Sequence, residues 1–308
     1  MTPKPSFDPG LTQEYTGPIR RTINKDGSFN VRRRGVTNIA GNVYMLMVTT
    51  TWVRFFAVVA ICYIAVNFIF AGLYMAIGPD GLHPTERDLH LPAFGRAFFF
   101  SVQTLTTVGY GSIYPYGFEA HLVAALEAAL GLMLFALGTG LLFARFSRPT
   151  SRLVFSETMV VAPYRGITAL EFRVANARPN VLVNVHADMV LTTVEPGPDG
   201  KLRRTFRALP LERNEIFFLA LSWTVVHPIN EASPLWGKTQ DEFKNLQAEV
   251  LILLKGYDDS FSQTVHTRYS YRWDETGWAV RFTPAFEVAP EGHMVLDIGK
   301  ISDTTHVA

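Results

Sequence analysis

Residues 104–111 read TLTTVGYG. Two glycines bracket a tyrosine. A valine and three threonines, two of them adjacent, precede them, and no charge interrupts the run. Glycine reaches backbone dihedrals closed to other residues, so a tight turn is the simplest account. A turn has no use for Tyr110 between its glycines, nor for Thr106 and Thr107 before them. The alternative is that the backbone itself is the working surface, and the flanking sequence decides between the two.

Upstream, residues 55–78 (FFAVVAICYIAVNFIFAGLYMAIG) carry no formal charge, and Asn67 is the only strongly polar side chain. At about 1.5 Å per residue this run exceeds a ~30 Å hydrocarbon core. A soluble helix of that length shows a polar stripe, which is missing here. Downstream, residues 120–144 (AHLVAALEAALGLMLFALGTGLLFA) form a second span, with His121 near its start and Glu127 inside it. A carboxylate at that depth is costly against lipid, so Glu127 is expected to face protein or water. Gly131, Gly138 and Gly140 are candidates for close helix contact or for bending at a hinge.

Between the spans lies LPAFGRAFFFSVQTLTTVGYGSIYPYG, residues 91–117. Its helical part, about Phe94 to Thr106, is too short to cross a bilayer, and Pro92 stands where it would start. Such a helix dips in and returns as extended chain. Irregular backbone at membrane depth is tolerated only where protein buries it or where it lines a cavity. One chain with two spans cannot enclose it, whereas several copies around an axis can. Laid out as a strand, Thr107, Val108, Gly109, Tyr110 and Gly111 turn four carbonyls, from Thr107 to Tyr110, and the Thr107 hydroxyl toward that axis. Tyr110 points away and packs behind. Four copies then stack rings of oxygens of the kind that replace a potassium ion's hydration shell.

The rest of the composition narrows the class. Of 308 residues, 48% are apolar and 18% charged, lean for a wholly soluble chain. A net charge of +1 gives no bulk attraction to nucleic acid. The single cysteine, Cys62, excludes an intrachain disulfide and multi-cysteine metal sites. The polar, Pro/Gly-rich start lacks the apolar core of a cleavable signal. Lys4, Arg20, Arg21, Lys25, Arg32, Arg33, Arg34 and Arg54 precede the first span, and Arg145, Arg148 and Arg152 follow the second. The connection between the spans offers only Arg87 and Arg96, so both termini are expected in the cytoplasm.

After Arg152 the long apolar runs stop. Segments such as TALEFRVAN, NVLVNVHADMVLTTV, EIFFLALSWTVVHPI and AEVLILLKGYDD are rich in β-branched and aromatic residues, and turns such as PGPDG (196–200) separate them. Val181, Val183 and Val185 alternate with Asn184 and His186. This is a β-sandwich pattern. Only DEFKNLQAE, residues 241–249, suggests a helix. His186, His227, His266 and His293 have no metal-ligand spacing, Asp258 and Asp259 read as a solvated turn, and no hydrolase, P-loop or zincin motif is present.

TTVGYG after a short helix, between two spans, resembles the potassium-channel signature. The wider chain resembles the inward-rectifier potassium channels, especially the prokaryotic Kir-like (KirBac-type) branch. The likeness is carried by RRRG (32–35), FFFSVQTLTTVGYG (98–111), LLFARFSRP (141–149), FRVANARPN (172–180) and LSWTVVHPINEASPLWG (221–237), and covers roughly residues 32–300. It implies a homotetramer with potassium as permeant ion and no cofactor. It also implies a slide helix along the inner membrane face, which Val43, Met45, Leu46, Met47 and Trp52 fit, and an immunoglobulin-like cytoplasmic domain. Alignment back from ARFSRP places Phe135 where eukaryotic members carry an acidic or Asn residue that binds polyamines, and Phe143 at the inner helix crossing. Thr139 shares the pore-lining set. Gln103 stands where many members have a filter-supporting Glu, with Thr106 and Glu127 as further supports.

The expected organisation is therefore a two-transmembrane-helix potassium channel pore with re-entrant pore helix and selectivity filter, plus a C-terminal cytoplasmic immunoglobulin-like β-sandwich. Its segments are a cytoplasmic stretch (1–38), an amphipathic slide helix (39–52), the pore domain (53–150) and the sandwich (151–308), set in a bacterial inner membrane. Arg32, Arg33, Arg34, Arg54, Arg145 and Arg148 are candidates for anionic lipid headgroups, or ordinary positive-inside charges. The rival function is a membrane-anchored β-sandwich binding or sensory protein with a non-conducting or altered-selectivity pore.

Overall fold

The computed structural model describes residues 10–15, 17, 21–32, 34–35, 39–84, 90–147 and 152–307. The chain divides into two units. Residues 35–148 form one, and residues 1–34 join 149–308 in the other.

In the first unit, α1 (Ile39–Thr49) and α2 (Trp52–Ile77) are separate helices, because Thr51 is extended with φ −65° and ψ 156°. The chain then forms β1 (Leu82–Pro84), α3 (Ala93–Leu105), β2 (Ile113–Pro115) and α4 (Gly117–Phe146). At about 1.5 Å per residue, the 26 residues of α2 and 30 of α4 reach about 39 and 45 Å. Only 11% of the most apolar stretch of each is buried, unlike the core helix of a soluble protein. The chain is a multi-pass membrane protein. The expected α1 ran to Trp52, but Trp52 instead opens α2. Pro92 caps α3, where its fixed φ and missing N–H cost nothing.

α3 is seated between α2 and α4. Ala71, Tyr74, Ala97, Phe100, Leu82 and Ile113 form one buried cluster, and small alanines let the helices approach. β1 pairs antiparallel with β2, Leu82 opposite Pro115, and the Tyr116 N–H donates to the Gly81 carbonyl at 2.9 Å. This clasp holds the far end of the 106–112 segment.

The second unit is a sandwich of two five-stranded sheets. One orders β11 (Gln263–Arg272), β10 (Glu249–Asp258), β6 (Leu182–Pro196) and β7 (Leu202–Ala208), with β8 (Glu215–Leu219) also on β6. The other orders β12 (Thr276–Trp278), β4 (Met159–Tyr164), β5 (Ile167–Asn176) and β3 (Leu153–Phe155), with β9 (Ser222–Ile229) on β5. Short ribbons pair β13 (Val280–Phe282) with β16 (Thr304–His306) and β14 (Phe286–Val288) with β15 (Met294–Leu296). The core between the sheets includes Phe172, Val225, Leu191, Ile252 and Tyr271.

Two local expectations need correction. The alternation from Val181 to His186 does not run unbroken, because Asn184 takes a left-handed φ of 49° at a bulge that shifts the pairing with β10 between Lys255 and Tyr257. The buried face is therefore Leu182, then Val185, Ala187, Met189 and Leu191. The helix expected over 241–249 is shorter. α5 (Gln240–Asn245) starts on a Thr239–Glu242 capping box and ends before Gln247, at φ 47°, so that Glu249 already belongs to β10.

The described N-terminal residues lie on this sandwich. Glu14 bridges Arg203 of β7, and Ile23 is buried with Val190, Phe206 and Leu251. The Thr22 N–H and hydroxyl donate to the buried Glu249 carboxylate at 2.9 and 2.7 Å. Arg21 and Lys25 pair with Glu275, Lys25 at 3.0 Å, and Ser270 donates to the Ile23 carbonyl at 2.7 Å.

Candidate functional site

The segment after α3 is built from the end of that helix. The Thr106 hydroxyl donates back to the Val102 carbonyl at 2.7 Å, and the Thr107 N–H to Thr104 at 3.0 Å. The Gln103 carbonyl accepts from Val108 at 2.9 Å and from Gly109 at 3.3 Å. It is thus the Gln103 backbone that is seen to brace the segment. Beyond it the backbone alternates in hand. Thr107, Gly109 and Gly111 have φ of 60°, 54° and 77°, whereas Val108 and Tyr110 stay negative. In extended chain of uniform hand, successive carbonyls point to opposite sides. Alternating hand brings them round together, and glycine at every second position makes this cheap. Thr107 is the exception, an L-residue held in the left-handed region.

Val108 and Tyr110 are exposed, Tyr110 by 77%. The expected packing of Tyr110 behind the strand is therefore not supplied by its own chain.

On α4, Phe135, Thr139 and Phe143 are four residues apart and share one face. All three are exposed, Phe135 by 77% and Phe143 by 72%. Thr139 spends its hydroxyl on the Phe135 carbonyl at 2.9 Å, leaving a largely apolar face. The three glycines differ. A Cβ on Gly131 would lie 2.0 Å from the Leu105 carbonyl oxygen, whereas Gly138 and Gly140 face open space. Gly131 is needed for contact with α3 whether or not α4 bends.

Glu127 is fully buried one turn before Gly131. It bonds to Tyr74 of α2 at 2.6 Å and to Ser101 of α3, and Ser101 reaches Asn67 of α2 at 3.0 Å. Tyr74 and Ser101 went unnoticed in the sequence. Polar residues inside apolar helices were the available signal, and Asn67 and Glu127 carried it more plainly.

The basic candidates separate as well. Arg54, Arg32 and Arg34 are exposed. Arg145 donates to the Met47 carbonyl and to the Thr50 carbonyl at 2.8 Å, and lies over the Trp52 and Phe55 rings at 4.4 and 4.7 Å. It fastens the α1–α2 corner to the end of α4. Arg33 and Arg148 lie outside the described residues.

Comparisons with known proteins agree with this architecture. Residues 153–308 match the family model described as inward rectifier potassium channel C-terminal domain, and residues 61–148 match the one described as ion channel. The inward rectifier potassium channel Kirbac3.1 of Paramagnetospirillum magnetotacticum is 35% identical over 92% of this chain and 95% of its own length. The human G protein-activated inward rectifier potassium channel 2 is 26% identical over 93% of this chain and 72% of its own. Both modules are those of a channel rather than an enzyme. With a pore-type membrane unit, a β-sandwich matched along its length and a relative aligned nearly end to end, the chain belongs to the inward-rectifier potassium channel family.

Proposed function

We propose that four copies of this chain form a potassium-selective channel in a bacterial inner membrane, conducting passively. The observation that carries it is the alternation of hand at Thr107, Gly109 and Gly111 directly after the capped end of a helix too short to span. That backbone is suited to a file of carbonyl ligands for a dehydrated cation. α3 acts as the re-entrant pore helix, residues 107–111 as the filter, and Gln103, Thr106 and Glu127 as its support. The exposed Val108 and Tyr110 find their cover in neighbouring copies.

The apolar face of Phe135, Thr139 and Phe143 lines the inner pathway. Phe143 closes it near the cytoplasmic end by excluding water, with Gly138 and Gly140 leaving room for α4 to flex. Phe135 offers no charge to a blocking polyamine, so strong rectification from this position is not expected. Ion pairing of Arg21 with Glu275 keeps both ends of the chain on one side of the bilayer, and the basic flanks make that side the cytoplasm. α1 lies along the inner face as the slide helix, with Val43, Met45 and Leu46 exposed for lipid and Arg54 beside it for anionic headgroups.

The test is rubidium and potassium uptake into vesicles holding the purified protein, with sodium as competitor. Selective uptake of potassium over sodium supports the proposal. No uptake, or equal uptake of sodium, returns the function to a membrane-anchored binding protein or an unselective pore. Gly109→Asp, which adds a charged side chain at φ 54°, is expected to abolish selective flux in protein that still reaches the membrane. Unchanged selectivity in the assembled variant removes residues 107–111 from the filter role.

A further inference from the structure

The polar cluster joining α2, α3 and α4 can be counted hydrogen by hydrogen. Asn67, Ser101 and Glu127 are fully buried and Tyr74 nearly so, so each polar atom needs a partner inside the protein. The Asn67 amide nitrogen donates to the Tyr63 carbonyl at 2.8 Å, which turns its carbonyl oxygen toward Ser101. Three contacts remain: Ser101 with Asn67, Ser101 with Glu127, and Tyr74 with Glu127. The two hydroxyls bring two hydrogens. With an ionised Glu127, Ser101 would face two acceptors with a single hydrogen. Reversing the Asn67 amide only moves the clash, since its oxygen would then face the Tyr63 carbonyl.

We propose that Glu127 carries the missing proton and serves, as a neutral carboxylic acid, to position the filter. The proton sits on Oε1 and is donated to Ser101, Ser101 donates to Asn67, and Tyr74 donates to Oε2. Every acceptor in the chain of contacts is then filled once. The other charged or basic groups of the three helices are Arg54, Arg96, Glu119, His121 and Arg145. Arg96 and Arg145 are engaged with backbone carbonyls at Leu91, Met47 and Thr50. The position of the cluster gives it consequence. Ser101 lies two residues before Gln103, whose carbonyl holds Val108 and Gly109. One turn beyond Glu127, Gly131 meets the Leu105 carbonyl. Two successive turns of α4 therefore set the last turn of α3, and through it the start of the filter. This rests on the channel function proposed above.

The test combines infrared spectroscopy with flux, using the full chain in vesicles. Wild type is expected to show the C=O stretch of a protonated carboxylic acid, retained from neutral into alkaline pH and absent in Glu127→Gln. Glu127→Gln, whose amide offers the same donor and acceptor, is expected to keep wild-type rubidium flux and potassium selectivity. Glu127→Leu is expected to lose both while remaining tetrameric. If Glu127→Leu does not assemble, Ser101→Ala, which removes the middle of the relay, takes its place. Absence of the acid band shows an ionised Glu127 and overturns the proton assignment. Loss of selectivity in Glu127→Gln shows that charge is required, and normal conduction in both Glu127→Leu and Ser101→Ala removes the positioning role. A wild type that shows the band but no flux refutes the channel function and leaves the proton assignment standing.

Discussion

Gly131 and its neighbours Gly138 and Gly140 look alike as letters in an apolar helix, yet one of them has no room for a methyl group. Gly131→Ala must push α4 away from α3, at an overpacking cost of about 1–3 kcal/mol. The expected result is a lower melting temperature in detergent and a smaller tetramer fraction on size exclusion. Gly138→Ala and Gly140→Ala, with open space at both positions, should leave the melting temperature unlowered. The distinction was not legible in the sequence because it depends on where the carbonyl of Leu105 arrives, 26 positions away in the chain. The alternating backbone of 107–111 was legible at two of its positions, since the special dihedrals there are written as glycines at 109 and 111. His227 makes a separate residue-scale case. It is buried, with Nδ1 at 2.6 Å from the Pro210 carbonyl and Nε2 at 2.8 Å from Ser233. Burial pushes its pKa below the usual imidazole value, against the opposing pull of the Pro210 carbonyl. The neutral ring is thus the folded form. Its stabilising contribution is complete above the unfolded value of about 6.5 and is lost as pH falls below it. Melting temperatures of wild type should fall between neutral pH and mild acid, and His227→Gln should flatten that part of the profile. An identical slope in the variant would assign the acid sensitivity elsewhere.

Among the elements, helices α2, α3 and α4 were legible almost to their ends, because length against bilayer thickness is a coarse and forgiving criterion. α3 begins one residue before its expected start and ends one residue before its expected finish. The β-strands were legible as a class but not in phase. A single left-handed residue, Asn184, reverses which side chains of β6 reach the core, and asparagine in a strand does not announce that choice. α5 was overextended for a related reason: Leu246 caps the helix, Gln247 turns left-handed, and Glu249 opens β10 with its Thr22 contact. The apolar face of α4 supports an element-scale prediction. Phe143→Ala removes the aromatic ring of that face nearest the C-terminal end of α4, so single-channel recordings should show a higher open fraction if the proposed pore is closed there. Phe135→Ala, two turns deeper, should change conductance more than opening. If Phe143→Ala leaves opening and conductance as they were, the constriction lies elsewhere along α4.

At the scale of the whole molecule, the sequence set residues 1–38 apart from the sandwich, whereas the described residues 10–15 and 21–32 are built onto it. Nothing in the segment announces its partner, because Glu249 and Glu275 look like ordinary surface acids until they are seen bonded to Thr22, Arg21 and Lys25. Glu14 and Arg203 are directly paired, which places their Cα atoms about 4.5–5.5 Å apart and within disulfide range. In a Cys62→Ser background, Glu14→Cys with Arg203→Cys should therefore close within one chain, leaving a monomer band on a non-reducing denaturing gel. A ladder up to the tetramer would show that the segment crosses to a neighbouring copy instead.

The same connectivity sets an order of events in biosynthesis. Arg21 and Glu275 are 254 residues apart, and both spans and most of the sandwich are made in the interval. At roughly 5–20 residues per second, the ribosome needs roughly 13–50 s to deliver the second partner after the first. Ile23 waits 167 residues for Val190 and 228 residues for Leu251, the first and last of the partners that cover it. A segment made before both spans is thus among the last of these elements to fold, and its docking marks a subunit whose sandwich strands have been made.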